Sequence, residues 1–327
     1  MIDENMTADS NCETTVLARN LMVDLETLWT IQVIVSCASL WATNQRPPHL
    51  HVDGKSGRNC IERLLLSFDD KFFRIHDSAC EVRHSRHSEP QESGMYAVWP
   101  DVPAELPQPG AAAELRLLAG NSDRNVGPNE FAWQELPEGP VLKRRLEGLI
   151  ELCPQFVGLK WISPTENLAI SLMFDQEMIK ALQLLEAYAF RWCIDATPPD
   201  LDEAESIYAL IHGFKVKFKA AMDCAVRVMS GRTSAPASPG KYVVWTEDRL
   251  AGPGNYSPRS SAYWDRDNGW SVSGVELWMP PLVYPEQIKG LARLQAECPK
   301  ADFKSEQGTW EWFQIKPNEK YDDEVPF

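Results

Sequence analysis

The stretch Gly94–Trp99 reads GMYAVW, and Gly240–Trp245 reads GKYVVW. Placing one on the other aligns Ile61–Trp99 with Ile207–Trp245 without a gap. Fifteen of these 39 positions are identical: Ile61, Leu64, Phe68, Lys71, Phe72, Asp77, Ala79, Val82, Arg86, Ser88, Pro90, Gly94, Tyr96, Val98 and Trp99. Average composition would give about two or three matches. Upstream, Asp24, Glu26, Gln32, Ala38, Trp41, Pro47, Pro48 and Leu50 match Asp175, Glu177, Gln183, Ala189, Trp192, Pro198, Pro199 and Leu201. Downstream, Pro140, Leu146, Leu149, Cys153 and Pro154 match Pro285, Leu291, Leu294, Cys298 and Pro299. Three blocks in one order, with length changes confined to loop-like stretches, indicate internal duplication. The period is far longer than the roughly 20–50 residues of solenoid repeats.

Each copy carries the same local signals. Leu28, Ile31, Ile34, Ala38 and Trp41 fall on one helical face, as do Ile179, Leu182, Leu185, Ala189 and Trp192. Asp24 and Glu26, or Asp175 and Glu177, stand where acids suit a helix N-terminus. A second helical face runs through Ile61, Leu64, Phe68, Phe72, Ile75, Ala79 and Val82, and through Ile207, Leu210, Phe214, Phe218, Ala221, Ala225 and Val228. GMYAVW and GKYVVW are strands, with Tyr96 and Val98 on one face and Met95, Ala97 and Trp99 on the other. NEFAWQEL and SVSGVELW are second strands, Val141–Leu152 and Glu286–Glu297 are third helices, and FVGLKW and WEWFQI are closing strands. The predicted class is α+β: two tandem homologous domains, each with about three helices on a small antiparallel sheet. The boundaries are an acidic tail over 1–20, a first repeat over 21–163, a second over 164–316 and an acidic tail over 317–327. Each half is long enough to bury its own core.

The net charge of −15 repels nucleic acid and anionic lipid and favours a basic partner. The N-terminus MIDENMTADSN lacks a signal peptide's basic and apolar regions. The apolar window Leu28–Ala42 reads as a core helix, because its counterpart contains Lys180, Glu186 and Arg191. Eight scattered Cys, none in a C-x-x-C pair, read as reduced thiols of a cytoplasmic protein.

Candidate chemistry is sparse. Asp101, Glu247, Asp248, Glu135 and Glu276 stand at or near strand ends, as carboxylates of a metal-assisted hydrolase would. The lysine of the common nuclease pattern is missing. His49, His51, His84 and His87 could ligate a metal, but the second copy lacks these His and neither cluster has a zinc-site spacing. Cys153 and Cys298 read as packing residues at helix ends. No phosphate-binding glycine loop is present, and no cofactor or metal is expected.

Ala251–Trp270 is the most distinctive stretch. It sets Tyr256, Tyr263, Trp264 and Trp270 among Arg259, Asp265, Arg266 and Asp267, on Gly, Pro and Ser. Aromatic anchors with charged neighbours are the composition of interaction hot spots; the same aromatics could instead pack inward as a hairpin. The first copy has the Pro/Ala-rich PDVPAELPQPGAAAEL there, so the copies diverge most in this loop. The expected partner-binding set is Tyr256, Arg259, Tyr263, Trp264, Asp265, Asp267, Trp270, Asp101, Glu247 and Asp248.

The order in each copy is a helix ending in LW or RW, a second helix, GMYAVW or GKYVVW, a strand ending in WQELPEGP or VELWMPP, and a short helix closing on Pro. This order resembles the cytosolic immunity proteins of bacterial polymorphic toxin systems. The resemblance implies a non-catalytic inhibitor that binds and occludes a cognate toxin, and the acidic charge would steer it toward a basic one. The first reading is therefore a protein-binding inhibitor or adaptor; a metal-assisted hydrolase using the strand-end carboxylates and a pseudo-symmetric scaffold with the copies paired as a built-in dimer are the alternatives.

Overall fold

Asp24 and Asp175 each end a strand and start a helix. Both have extended backbone, and their carboxylates accept from the N–H groups of Thr27 and Met178 at 2.9 and 2.7 Å. This is N-capping, which satisfies donors that the first helical turn leaves free. Upstream are the strands β1 (Val16–Val23) and β6 (Ile170–Phe174); downstream are the helices α1 (Leu25–Ala42) and α3 (Gln176–Cys193). The computed structural model describes residues 16–45, 54–100, 102, 107–120, 130–137, 146–148, 169–194, 199–246 and 260–285.

Each helix is followed by another, α2 (Gly54–Asp77) and α4 (Leu201–Asp223). In the first half the strands β2 (Cys80–His84), β3 (Gly94–Trp99), β4 (Glu114–Leu118) and β5 (Ala132–Glu135) follow α2. In the second, β7 (Val226–Arg227), β8 (Met229–Ser230), β9 (Gly240–Thr246), β10 (Ser260–Asp265), β11 (Gly269–Trp270) and β12 (Val275–Met279) follow α4. The fold is α+β, with four helices among the described residues and two curled antiparallel sheets.

The described residues hold two helices in each half, fewer than the three expected. Most of Val141–Leu152 and all of Glu286–Glu297 lie outside the described residues, as do FVGLKW, WEWFQI and the tail at 317–327. Inside the first of these helices, Leu146–Gly148 is a turn. Gly148 has φ 83°, and a Cβ there would stand 2.1 Å from the Cys60 carbonyl oxygen, so only glycine suits the position. β1 begins at Val16, so residues 16–20 belong to the sheet although composition assigns them to a tail.

The sheets are ordered β4-β3-β5-β2-β1-β6-β7 and β11-β10-β9-β12-β8. β7 and β8 align with β2 but are separated at Val228, whose N–H bonds the Ala169 carbonyl. Outward from β1 run β2, β5, β3 and β4; outward from β6 run their aligned counterparts β7/β8, β12, β9 and β10. The two strands at the centre, β1 and β6, pair antiparallel with Leu21 opposite Leu172, Asn20 opposite Met173 and Met22 opposite Ser171. Aligning Asp24 with Asp175 also equates Leu21 with Leu172. A residue therefore meets its own counterpart, and the pairs on either side are exchanged, which is the register of a two-fold axis.

The apolar faces do not close into one core per half. On the helix side, Leu21 and Phe68 pack in one cluster with Leu172 and Phe214. On the inner side of the curl, Ala97, Trp99 and Leu115 share a cluster with Val243, Trp245, Leu277 and Tyr284. The edges meet through Ala113 N–H to Leu282 O at 2.7 Å and Tyr284 N–H to Ala111 O at 3.0 Å. Trp99 meets the Tyr284 ring edge-on at 5.8 Å, and Trp245 donates to the Pro137 carbonyl at 3.2 Å. Burying such side chains contributes about 1.5–3 kcal/mol each, and here that gain comes from contacts between halves. α1 is long and apolar enough to cross a membrane by length and composition; in this fold α2, α3 and α4 pack on it and bury most of its surface.

Two buried charge clusters brace the helix starts. Lys71 reaches from α2 to Asp24 at 2.5 Å and Glu26 at 3.6 Å. Lys217 reaches from α4 to Asp175 at 2.7 Å and Glu177 at 2.6 Å. Glu26 also accepts from the Leu146 N–H at 3.1 Å. Burial pushes its carboxyl above the ordinary range while Lys71 pulls it back.

Candidate interaction surface

The strand periodicity read from GMYAVW holds. Tyr96 and Val98 face outward to Trp133, while Ala97 and Trp99 face the inner cluster. The outward face forms an aromatic box. Tyr96 and Trp133 meet edge-to-face at 5.5 Å; the Tyr96 hydroxyl donates to Glu92 O at 2.7 Å, and Trp133 Nε1 to Ser88 O at 2.9 Å. The second half repeats it: Tyr242 and Trp278 meet at 5.3 Å, with Tyr242 donating to Ser238 O at 2.7 Å and Trp278 to Ser234 O at 3.3 Å. Edge-to-face pairs add about 0.5–1.5 kcal/mol beyond burial. Satisfied polar tips let these rings sit against the sheet without stranding a donor.

Among the described residues the two boxes are completed differently: Leu118 and Phe131 pack on the first, and tryptophans pack on the second. β10 and β11 form a hairpin in which Trp264 pairs with Trp270 and Asp265 with Gly269. Trp270 lies against Tyr242 at 5.8 Å, Trp278 at 6.1 Å and Trp264 at 6.5 Å. The turn is made by Asp265, whose Oδ1 accepts from the N–H groups of Asp267 and Asn268 at 2.9 and 2.7 Å. These bonds hold its carboxyl below the ordinary Asp range. Gly269 supplies the positive φ of 72° that closes the turn. Arg266 donates to the Ala237 carbonyl at 3.1 Å and ties the tip to the loop before β9.

This geometry sorts the expected partner-binding residues. Trp264 is buried at 9% exposure and Trp270 is half-buried, so these two rings build the platform. Asp265 is spent on the turn. Tyr263 points away from the box and is 47% exposed, and Asp267 is exposed at the tip. Val272, 38% exposed, lies in the bend between β11 and β12. Tyr256, Arg259, Asp101, Glu247 and Asp248 lie outside the described residues. Tyr263 and Leu117 occupy aligned positions, opposite Lys241 and Met95. β4 has no aromatic residue.

The remaining candidates have local duties. Glu276 pairs with Arg232 at 2.5 Å, and Glu135 is exposed at the end of β5. His84 is buried, with Nε2 3.3 Å from the Val102 carbonyl and Nδ1 accepting from the Arg86 N–H at 3.1 Å. With Nε2 donating and Nδ1 accepting, both bonds are satisfied, so His84 fastens the turn after β2. His87 is exposed; His49 and His51 lie outside the described residues. Among the described residues no three His, Cys, Asp or Glu are grouped to hold a metal. Five cysteines there are free thiols, and four of them, Cys37, Cys60, Cys80 and Cys193, are buried. Cys153 and Cys298 lie outside.

Sequence reasoning passed over Lys71 and Lys217. The signal was there: a lysine kept in both copies on an otherwise apolar face, with an Asp-x-Glu kept before the neighbouring helix. Comparison with protein-family models, curated proteins and solved structures finds no match.

Proposed function

We propose that the chain is a tandem duplicate, joined about the β1–β6 seam, that acts as a non-catalytic inhibitor or adaptor by binding a basic protein. The observation that carries this reading is that two like aromatic boxes are completed differently, by Leu118 and Phe131 in the first half and by tryptophans in the second. The second half adds Trp264 and Trp270 to its box and mounts Tyr263 and Asp267 on a capped, closed turn. A rigid aromatic platform carrying an exposed Tyr and an acid is the chemistry of a protein-recognition hot spot. A net charge of −15 steers a basic partner in and keeps nucleic acid away.

The likeness to immunity proteins of polymorphic toxin systems gives the reading its specific form, occlusion of a cognate toxin. Under it the protein works in the cytoplasm, where its thiols stay reduced. The test is affinity capture from the native host with the full chain as bait and quantitative mass spectrometry. Wild type should enrich a basic protein, and Tyr263→Ala with Asp267→Asn should lower its recovery about tenfold or more. Equal recovery would remove the hairpin from the proposal. Enrichment of no basic protein would remove the proposal itself.

A further inference from the structure

The second helices of the two halves turn the same residues inward and differ in most of those they expose. Ile61, Leu64, Phe68, Lys71 and Phe72 on α2 align with Ile207, Leu210, Phe214, Lys217 and Phe218 on α4. Both phenylalanine pairs stack, at 5.4 and 5.6 Å. On the solvent side, α2 presents Leu66, 60% exposed, and Phe73, 68% exposed. They stand two turns apart on one stripe, about 10 Å along the axis. At 100° per residue, Glu62 and Asp69 flank this stripe on one side and Asp70 and Asp77 on the other. The aligned stripe of α4 reads Tyr208, His212, Lys215, Val216, Lys219 and Asp223; His212, Lys215, Lys219 and Asp223 are exposed.

The fold therefore does not require an apolar stripe here, since α4 occupies the aligned place with polar and basic residues. Leu66 and Phe73 form an exposed apolar stripe rimmed by acids, the arrangement that marks an interaction site. The flanking charge says with what. Arg74 engages Asp70 at 3.6 Å. Asp69 faces Glu186 of α3, and among the described residues neither carboxyl has a Lys or Arg within ion-pair distance. We infer that the α2 face of Leu66 and Phe73 is a docking surface for a basic amphipathic helix of a partner protein. Apolar anchors of that helix would cover the stripe, and its Lys or Arg flanks would meet Glu62, Asp69 and Asp77.

The inference rests on the reading of the chain as a protein binder but shares no residue with the hairpin, so each can fail alone. The experiment is calorimetric titration of the full chain with three synthetic peptides: a Leu/Lys amphipathic helix, a Leu/Glu helix of the same pattern, and a Ser/Lys peptide of the same charge. The competing variant gives α2 the outward residues of α4, Leu66→His, Asp69→Lys and Phe73→Lys, which that scaffold already tolerates. The Leu/Lys helix should bind wild type and lose about tenfold or more on the variant, the loss of a hot-spot pair, with circular dichroism showing both proteins folded. The converse variant, His212→Leu, Lys215→Asp and Lys219→Phe, should gain a second site. Equal binding of the Leu/Lys helix to wild type and variant would overturn the inference, as would equal binding of the Ser/Lys or Leu/Glu peptide to wild type. Self-association of the wild type that the variant abolishes would overturn it too, by assigning the face to a second copy. Loss of host-protein capture with Tyr263→Ala, alongside unchanged peptide binding, would separate this surface from the hairpin.

Discussion

The two buried charge clusters do the same job under different solvent exposure. Around Lys71, Asp24 and Glu26 are 7% and 6% exposed; around Lys217, Asp175 and Glu177 are 16% and 49% exposed. The first is a closed set in which every carboxylate needs its lysine. The second is open to water on the Glu177 side. Removing one partner of a buried pair strands the others, whereas water screens an exposed one. Identical residues at aligned positions thus carry unequal energetic weight. The same inequality recurs outside the core, where one half has an aromatic box covered by Leu118 and Phe131 and a Leu/Phe stripe, and the other a Trp-roofed box and a Lys-rich stripe.

The most forceful way to break the comparison is at the lysines. Lys71→Ala should destabilise the protein by about 3–5 kcal/mol and Lys217→Ala by about 1–3 kcal/mol. Urea unfolding followed by tryptophan fluorescence measures both. Equal costs would mean that the exposure of Glu177 does not matter.

A smaller effect sharpens it at the helix interfaces. Val35 of α1 is buried, and its aligned counterpart on α3 is Glu186. Burial, with Asp69 facing it, raises the Glu186 carboxyl from 4.5 to about 7. The folded protein then holds a proton that the unfolded chain has released, so stability falls as pH rises from about 4.5 to about 7 and stays reduced above. Glu186→Gln removes that loss. It should leave stability unchanged near pH 4.5 and raise it by about 1–3 kcal/mol above pH 7. Unfolding curves at pH 5 and pH 8 with the same difference between variant and wild type would contradict this.

The smallest effect is confined to the hairpin. Asp265→Ala should leave global unfolding in place and speed hydrogen exchange at the Asp267 and Asn268 amides. In the wild type, protection at those amides should be present above the ordinary Asp range and fade as the pH falls through the lowered value. Unchanged exchange would show that Gly269 alone makes the turn.

Much of this was legible along the chain. The repeat, α1 and α3 from their apolar spacing, α2 and α4 as far as Asp77 and Asp223, and the strands around GMYAVW and GKYVVW all follow from neighbours within a few residues; Val82 and Val228, read as the ends of those helical faces, lie instead in β2 and between β7 and β8. The inward and outward faces of β3 also follow, because a strand alternates. β1 and β6 did not. VLARNLMV puts Arg and Asn among apolar residues, and those two are accommodated only by tertiary partners: Arg19 by Glu81 at 2.7 Å, and Asn20 by the Ser171 hydroxyl at 2.6 Å. The aromatics of Ala251–Trp270 could be read as anchors or as packing. Strand parity separates Tyr263 from Trp264 only once β10 is known to lie against β9.

The amino-acid sequence by itself determined an α+β class and two sets of matching segments, because helix and strand periods are written in local spacing. Tertiary structure alone decided that the copies pair through Leu21 and Leu172, share both cores, and leave Leu66 and Phe73 outside. Pairing and burial depend on which distant residue arrives opposite, and a local pattern does not carry that information.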